Sequence, residues 1–123
     1  REALTLHPRD AAARGIKAGD GVRVFNDRGA CLAGVKIDDG VRPGVAVLPT
    51  GAWYDPLVPG EIGTLEKHGN PNVLTLDKGT SRLTQGCSAQ TTLVQVELFN
   101  GEPPRVTAFE LPQFVQRSVR TAR

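Results

Sequence analysis

Apolar residues in this chain alternate with polar ones in short runs instead of recurring every three or four positions, which predicts strands over most of its length. Leu4-Thr5-Leu6 forms the first. His7-Pro8-Arg9-Asp10 then predicts a helix, because proline is favoured in a first turn and an acidic residue there complements the positive helix end. Ala11 to Arg14 continue it, Gly15 stops it, and Ile16 returns to the core. Val22 to Phe25 and Ala30 to Ile37 read as a hairpin around Asn26-Asp27-Arg28-Gly29, residues that tolerate the positive φ of a tight reversal. Cys31, Ala33, Val35 and Ile37 then share one face of the returning strand. Val45 to Leu48 makes a fourth strand. Thr91 to Leu98 makes a last one that closes the sheet, with Val94, Val96 and Leu98 on one face. Five or six short strands, glycine-rich turns and one clear helix predict a mainly β domain, most naturally a small closed barrel.

The longest stretch outside this pattern runs from His68 to Gly86. Glycine, proline and asparagine crowd its first five positions and set irregular backbone. Asn70, Asn72, Thr75, Asp77, Lys78, Thr80, Ser81, Thr84 and Gln85 follow as a dense set of donors and acceptors around one lysine. Amides present donor and acceptor on one plane and can read the edge of a heterocycle, whereas an ammonium suits phosphate. A nucleotide-like ligand fits this inventory, and so does a solvated connection. Trp53 and Tyr54, the chain's single tryptophan and single tyrosine, stand together just past a strand. They are either a packed cap on the barrel end or a flat wall for a ligand or docking partner. Leu57 to Glu66 reads as a flexible excursion that delivers the chain to His68. His7 reads as a helix-entry residue, and Asp38-Asp39 beside Gly40 as a solvated turn.

Composition narrows the classes. With 123 residues the chain is one domain, able to bury roughly two thirds of its unfolded surface. Fifteen Lys and Arg against thirteen Asp and Glu leave a net charge of +2. The basic residues are scattered except near the C-terminus, which argues against a nucleic-acid footprint. No apolar run approaches the roughly 20 residues of a membrane-spanning helix. Cys31 and Cys87 stand 56 positions apart with no histidine at ligand spacing, so no metal site is expected. Cys31 reads as a small buried hydrophobe and Cys87 as partly exposed, and the pair does not select a redox compartment. The opening Arg1-Glu2-Ala3, in a chain without methionine, suggests a piece of something longer. The tail is expected to lay Phe109 and Leu111 against the body and to fray over residues 112–123, leaving a domain of 1–111.

Five segments in register carry a resemblance: Asp10-Ala-Ala-Ala-Arg-Gly15, Gly19-Asp20-x-Val22-x-Val24, Gly51-Ala52-Trp53-Tyr54-Asp55-Pro56, His68-Gly-Asn-Pro-Asn-Val-Leu-Thr75 and Gln85-Gly86. Together they resemble the C-terminal molybdopterin-dinucleotide-binding domain of the dimethyl sulfoxide reductase family, in particular the reductases of trimethylamine N-oxide, dimethyl sulfoxide or biotin sulfoxide. The resemblance implies a six-stranded double-psi β-barrel, like that of aspartate decarboxylase, with one or two short helices. It implies part of a site for molybdenum bis(molybdopterin guanine dinucleotide), with His68, Gly69, Asn70, Asn72, Lys78 and Gln85 as cofactor-binding residues and no catalytic or metal-ligating residue in this chain. It further implies that the preceding domains of the same oxidoreductase chain are the partners, met through Trp53 and Tyr54, and that this portion is inactive alone. The contrasting class is a stand-alone double-psi module that recognises a peptide or an adaptor protein, which has less need of an amide-rich loop.

Overall fold

The structure, a computed structural model, describes residues 1–114 and 116. Five strands form one sheet: β1 Ala3–Leu6, β2 Gly21–Phe25, β3 Ala30–Ile37, β4 Ala46–Val47 and β5 Gln95–Leu98, in the order β4-β1-β3-β2-β5. β2 is antiparallel to β3 and β5, whereas β1 is parallel to β3 and antiparallel to β4. The two edge strands do not pair with each other among the described residues, so the sheet is open. It is also curled, since Ala46 from one edge and Val94 and Val96 beside the other line a common cleft and pack on the same core. The expectation of a mainly β domain holds at this level.

The core is built from the alternation. Leu4, Leu6, Val22, Val24, Cys31, Ala33 and Val35 point inward, joined by Ala11, Ile16 and Leu74. Helix α1, Pro8–Ala13, forms as its sequence directs: the His7 side chain caps it by accepting from the Arg9 N–H at 3.0 Å, and Asp10 reaches out to accept from Gly44 N–H at 2.6 Å. A helix of six residues depends on packing, here through buried Ala11 and Ile16.

Three expectations need correction. The β2–β3 reversal uses no left-handed residue. Instead the Asn26 side chain accepts from the N–H groups of Arg28 and Gly29 and donates to the carbonyls of Leu74 and Leu93, tying the turn to two distant segments. Glycine is needed at 29 for space, because a Cβ there would lie 2.5 Å from the Val73 carbonyl oxygen. The last strand is shorter than the alternation suggested, with a 3-10 turn at Ala89–Thr91 ahead of it and Leu98 exposed at its end. Leu111 is 93% exposed and does not lie on the body, while Phe109 is largely exposed yet sits against His68 and Trp53. Val115 and the basic tail end with Arg117, Arg120 and Arg123 lie outside the described residues.

Candidate functional site

The site grows from one buried carboxylate. Glu66 is fully buried, and its backbone bridges β3 on one side and Pro56 on the other. Its N–H donates to the Ala30 carbonyl at 3.0 Å, and its carbonyl accepts from Leu32 N–H at 2.8 Å. β1 and the Glu66 segment therefore share the same edge of β3: Ala3 to Leu6 pair with Gly34 to Ile37, and Glu66 pairs with Cys31. The two are stitched together where Glu2 N–H donates to the His68 carbonyl at 2.9 Å. β3 is thus paired along both edges, and it is buried from Ala30 to Ala33 without the usual alternation.

A lone carboxylate in this position would be costly, and backbone donors offset that cost. Oε1 of Glu66 accepts from the N–H groups of Asp55 at 3.2 Å and His68 at 2.9 Å, while Oε2 accepts from Gly69 and Asn70, both at 2.7 Å. Three consecutive loop N–H groups are thus drawn to one side. Gly69 makes this possible: its φ is +96°, and a Cβ on it would lie 2.8 Å from Glu2 Cβ and 3.3 Å from the Leu32 carbonyl oxygen. Cys31, alongside, has its thiol pushed up to about 12 by burial first and by the charge of Glu66 second.

Asn70 and His68 are tied to the Gly51–Pro56 loop. The Asn70 amide donates to the Ala52 carbonyl at 3.0 Å, and its oxygen accepts from Asn72 N–H at 2.9 Å to start the 3-10 turn Pro71–Val73. Nδ1 of His68 lies 3.0 Å from the Trp53 carbonyl. A carbonyl only accepts, so Nδ1 carries the proton, and in the neutral ring Nε2 is left as an acceptor. Phe109 meets the His68 ring edge-on at 5.2 Å between centroids, and Trp53 at 6.0 Å.

Below this lies a second buried group. Lys67 Nζ stands 3.4 Å from Asp55 Oδ1, with side-chain exposures of 9% and 6%. Thr107 closes the triangle: it donates its N–H and its hydroxyl to Asp55, each at 2.6 Å, and accepts from Lys67 Nζ at 2.9 Å. Burial pushes the Asp55 carboxyl upward, but Thr107 and Lys67 more than offset it and hold the carboxyl below its ordinary value. The C-terminal segment is thereby fastened under the loop.

The six residues expected to bind a cofactor fall into two groups. His68, Gly69 and Asn70 are buried together on the Glu66 carboxylate, and Asn72 is exposed beside them. Lys78 and Gln85 lie apart, on an exposed ribbon closed by the Gly79–Cys87 bridge and the bond from Thr80 N–H to the Gly86 carbonyl. No hydrogen bond among the described residues links the two groups. The start of the stretch is thus built into the body, while its later half is the polar surface that the composition suggested. Trp53 and Tyr54 are 66% and 56% exposed, at the same end as His68. Sequence reasoning missed Glu66, Lys67 and Thr107. Glu66 closed what read as a flexible excursion, and the available signal was an acidic and a basic residue directly before a glycine-bearing turn.

This chain matches the family model described as Molydopterin (molybdopterin) dinucleotide binding domain over residues 1–93. The chain belongs to that family. Relatives agree: it is 54% identical over 112 residues to the dimethyl sulfoxide/trimethylamine N-oxide reductase of Cereibacter sphaeroides, covering 91% of this chain and 14% of the relative. It is 56% identical over 107 residues to trimethylamine-N-oxide reductase 1 of Escherichia coli strain K12, covering 87% of this chain and 13% of the relative. The chain thus spans about one seventh of the length of these relatives. Among solved structures, acetylene hydratase from Pelobacter acetylenicus shares the fold, with a TM-score of 0.60 at 20% identity over 80% of this chain and 14% of that one.

Proposed function

We propose that this domain holds molybdenum bis(molybdopterin guanine dinucleotide) within a larger oxidoreductase that reduces N-oxides or S-oxides. The observation that carries the reading is the loop from His68 to Asn72: its backbone is fixed from inside by Glu66, and Asn72 is exposed at its end. The donor set fits such a group. Asn72 and Lys78 use their side chains in no hydrogen bond among the described residues, and Gln85 makes only a 3.4 Å bond to Ser81. Two amides and an ammonium suit the edge of a heterocycle and a phosphate respectively. His68, Asn72, Lys78 and Gln85 would contact the group through their side chains, with Gly69 and Asn70 shaping the loop that presents them, and the group supplies two-electron redox chemistry when bound. The chain's own residues contribute position and polar contacts. Other domains of the parent chain would complete the site.

The same reading extends to the architecture. We infer a six-stranded double-psi barrel spanning 1–111, with residues 112–123 as a tail. Its support is the edge of β3 divided between β1 and the Glu66 segment, the cleft faced by both edge strands, and the fastening of Thr107 beneath the loop.

Trp53 and Tyr54 would then face the neighbouring domains, since exposed aromatics are the usual centres of such contacts. Trp53 holds His68 through its backbone carbonyl, which survives truncation of the side chain. Trp53→Ala is therefore expected to leave the thermal midpoint of this chain nearly unchanged while weakening cofactor retention in the full-length enzyme. A large drop in the midpoint of this chain would show that Trp53 is part of the core.

A further inference from the structure

The geometry points to Glu66 as the positioning residue of the cofactor loop, an inference that rests on the function proposed above. Its carboxylate takes the N–H groups of three consecutive residues, His68, Gly69 and Asn70, and a fourth from Asp55 in the neighbouring loop. One buried side chain thereby sets the relative position of the two loops at this end of the domain. It does so without touching the outer surface, because Glu66 has no exposed area.

The arrangement also decides what the loop can offer a ligand. A glycine-bearing turn commonly binds phosphate with successive backbone N–H groups. Here those of His68, Gly69 and Asn70 are consumed from behind by a carboxylate, which would also repel a phosphate placed over them. The loop therefore meets its ligand through side chains and through Nε2 of His68, whose Nδ1–H is committed to the Trp53 carbonyl.

Glu66→Gln tests this role with almost no change in shape. Oε1 of the amide can still accept from Asp55 and His68, but its NH2 would face the N–H groups of Gly69 and Asn70, donor against donor. The measurement is the rate at which guanine nucleotide leaves the full-length holoenzyme, taken a fixed number of degrees below each variant's own thermal midpoint so that general stability cancels. Ile16→Ala, a core truncation beside α1, supplies the comparison for stability alone, and Asn72→Ala reports on the loop's ligand contact. Glu66→Gln is expected to release the nucleotide at least tenfold faster than Ile16→Ala. Should Glu66→Gln not accumulate, Glu66→Asp, which keeps the charge but shortens the reach, is expected to release it about threefold faster. Equal release from the Glu66 variants and Ile16→Ala, with faster release from Asn72→Ala, would overturn the positioning role and leave the proposed site standing. Release unchanged in all of them, Asn72→Ala included, would overturn both.

Discussion

Replacing Asp55 by alanine is expected to destabilise the domain by about 3 to 5 kcal/mol, the usual cost of removing one partner from a buried ion pair. Lys67, with a side chain only 9% exposed, would lose its carboxylate partner, and Thr107 would lose the acceptor of both its N–H and its hydroxyl. Thermal denaturation of the 123-residue chain should show a midpoint lower by roughly 12 to 19 °C. Adding Lys67→Met should recover part of the loss, because the stranded charge is then gone. A midpoint shift within a few degrees for Asp55→Ala alone would mean that the pair contributes little.

The same group sets an acid limit. The folded carboxyl of Asp55 lies below its ordinary value of 3.8, so the folded state releases this proton more readily than the unfolded chain. Its contribution is therefore complete above about pH 4 and is lost as pH falls through the folded value. The wild-type chain should lose stability there more steeply than Asp55→Asn, which has no proton to take up.

Gly69→Ala has the second largest expected effect, about 2 to 5 kcal/mol, from two separable causes. At φ +96° an alanine is in the left-handed half of the map, at about 1 to 2 kcal/mol. Its Cβ would also press on Glu2 Cβ at 2.8 Å and on the Leu32 carbonyl, where backbone must give way, at about 1 to 3 kcal/mol more. The shift would pull the neighbouring N–H groups off the Glu66 carboxylate, so urea unfolding should show the loss in midpoint with an unchanged slope. Gly86→Ala on the exposed ribbon is the comparison: its Cβ meets only Thr80 Oγ1 at 3.8 Å, and φ there is not positive. It should be nearly neutral.

These residues show where the sequence was legible. Alternation between polar and apolar residues located β1 and β2 because each buries one dominant face, β3 was located by its apolar run although both of its faces are buried at the start, and His7-Pro8 located α1 because capping is a local signal. The Trp53 and His68 loops were found by composition, and the structure joins them through Ala52, Trp53 and Asp55. Glu66 was not legible, because its burial comes from N–H groups of two loops, 11 residues apart in the case of Asp55. An acidic residue ahead of a polar turn reads equally well as solvated. Thr107 was hidden for the same reason, bonding Asp55 across 52 positions. The open sheet, too, follows from pairing between distant segments, which no local period reports.

Whether the stretch from His68 to Gly86 holds the dinucleotide is decided by an experimental structure of the full-length holoenzyme. In it, His68, Gly69, Asn70 or Asn72, together with Lys78 or Gln85, is expected to lie within hydrogen-bond reach of the cofactor, about 3.2 Å. The backbone N–H groups of His68, Gly69 and Asn70 are expected to remain on Glu66, and Trp53 to be covered by a neighbouring domain. All six residues lying beyond that reach would contradict a cofactor-binding role for this stretch.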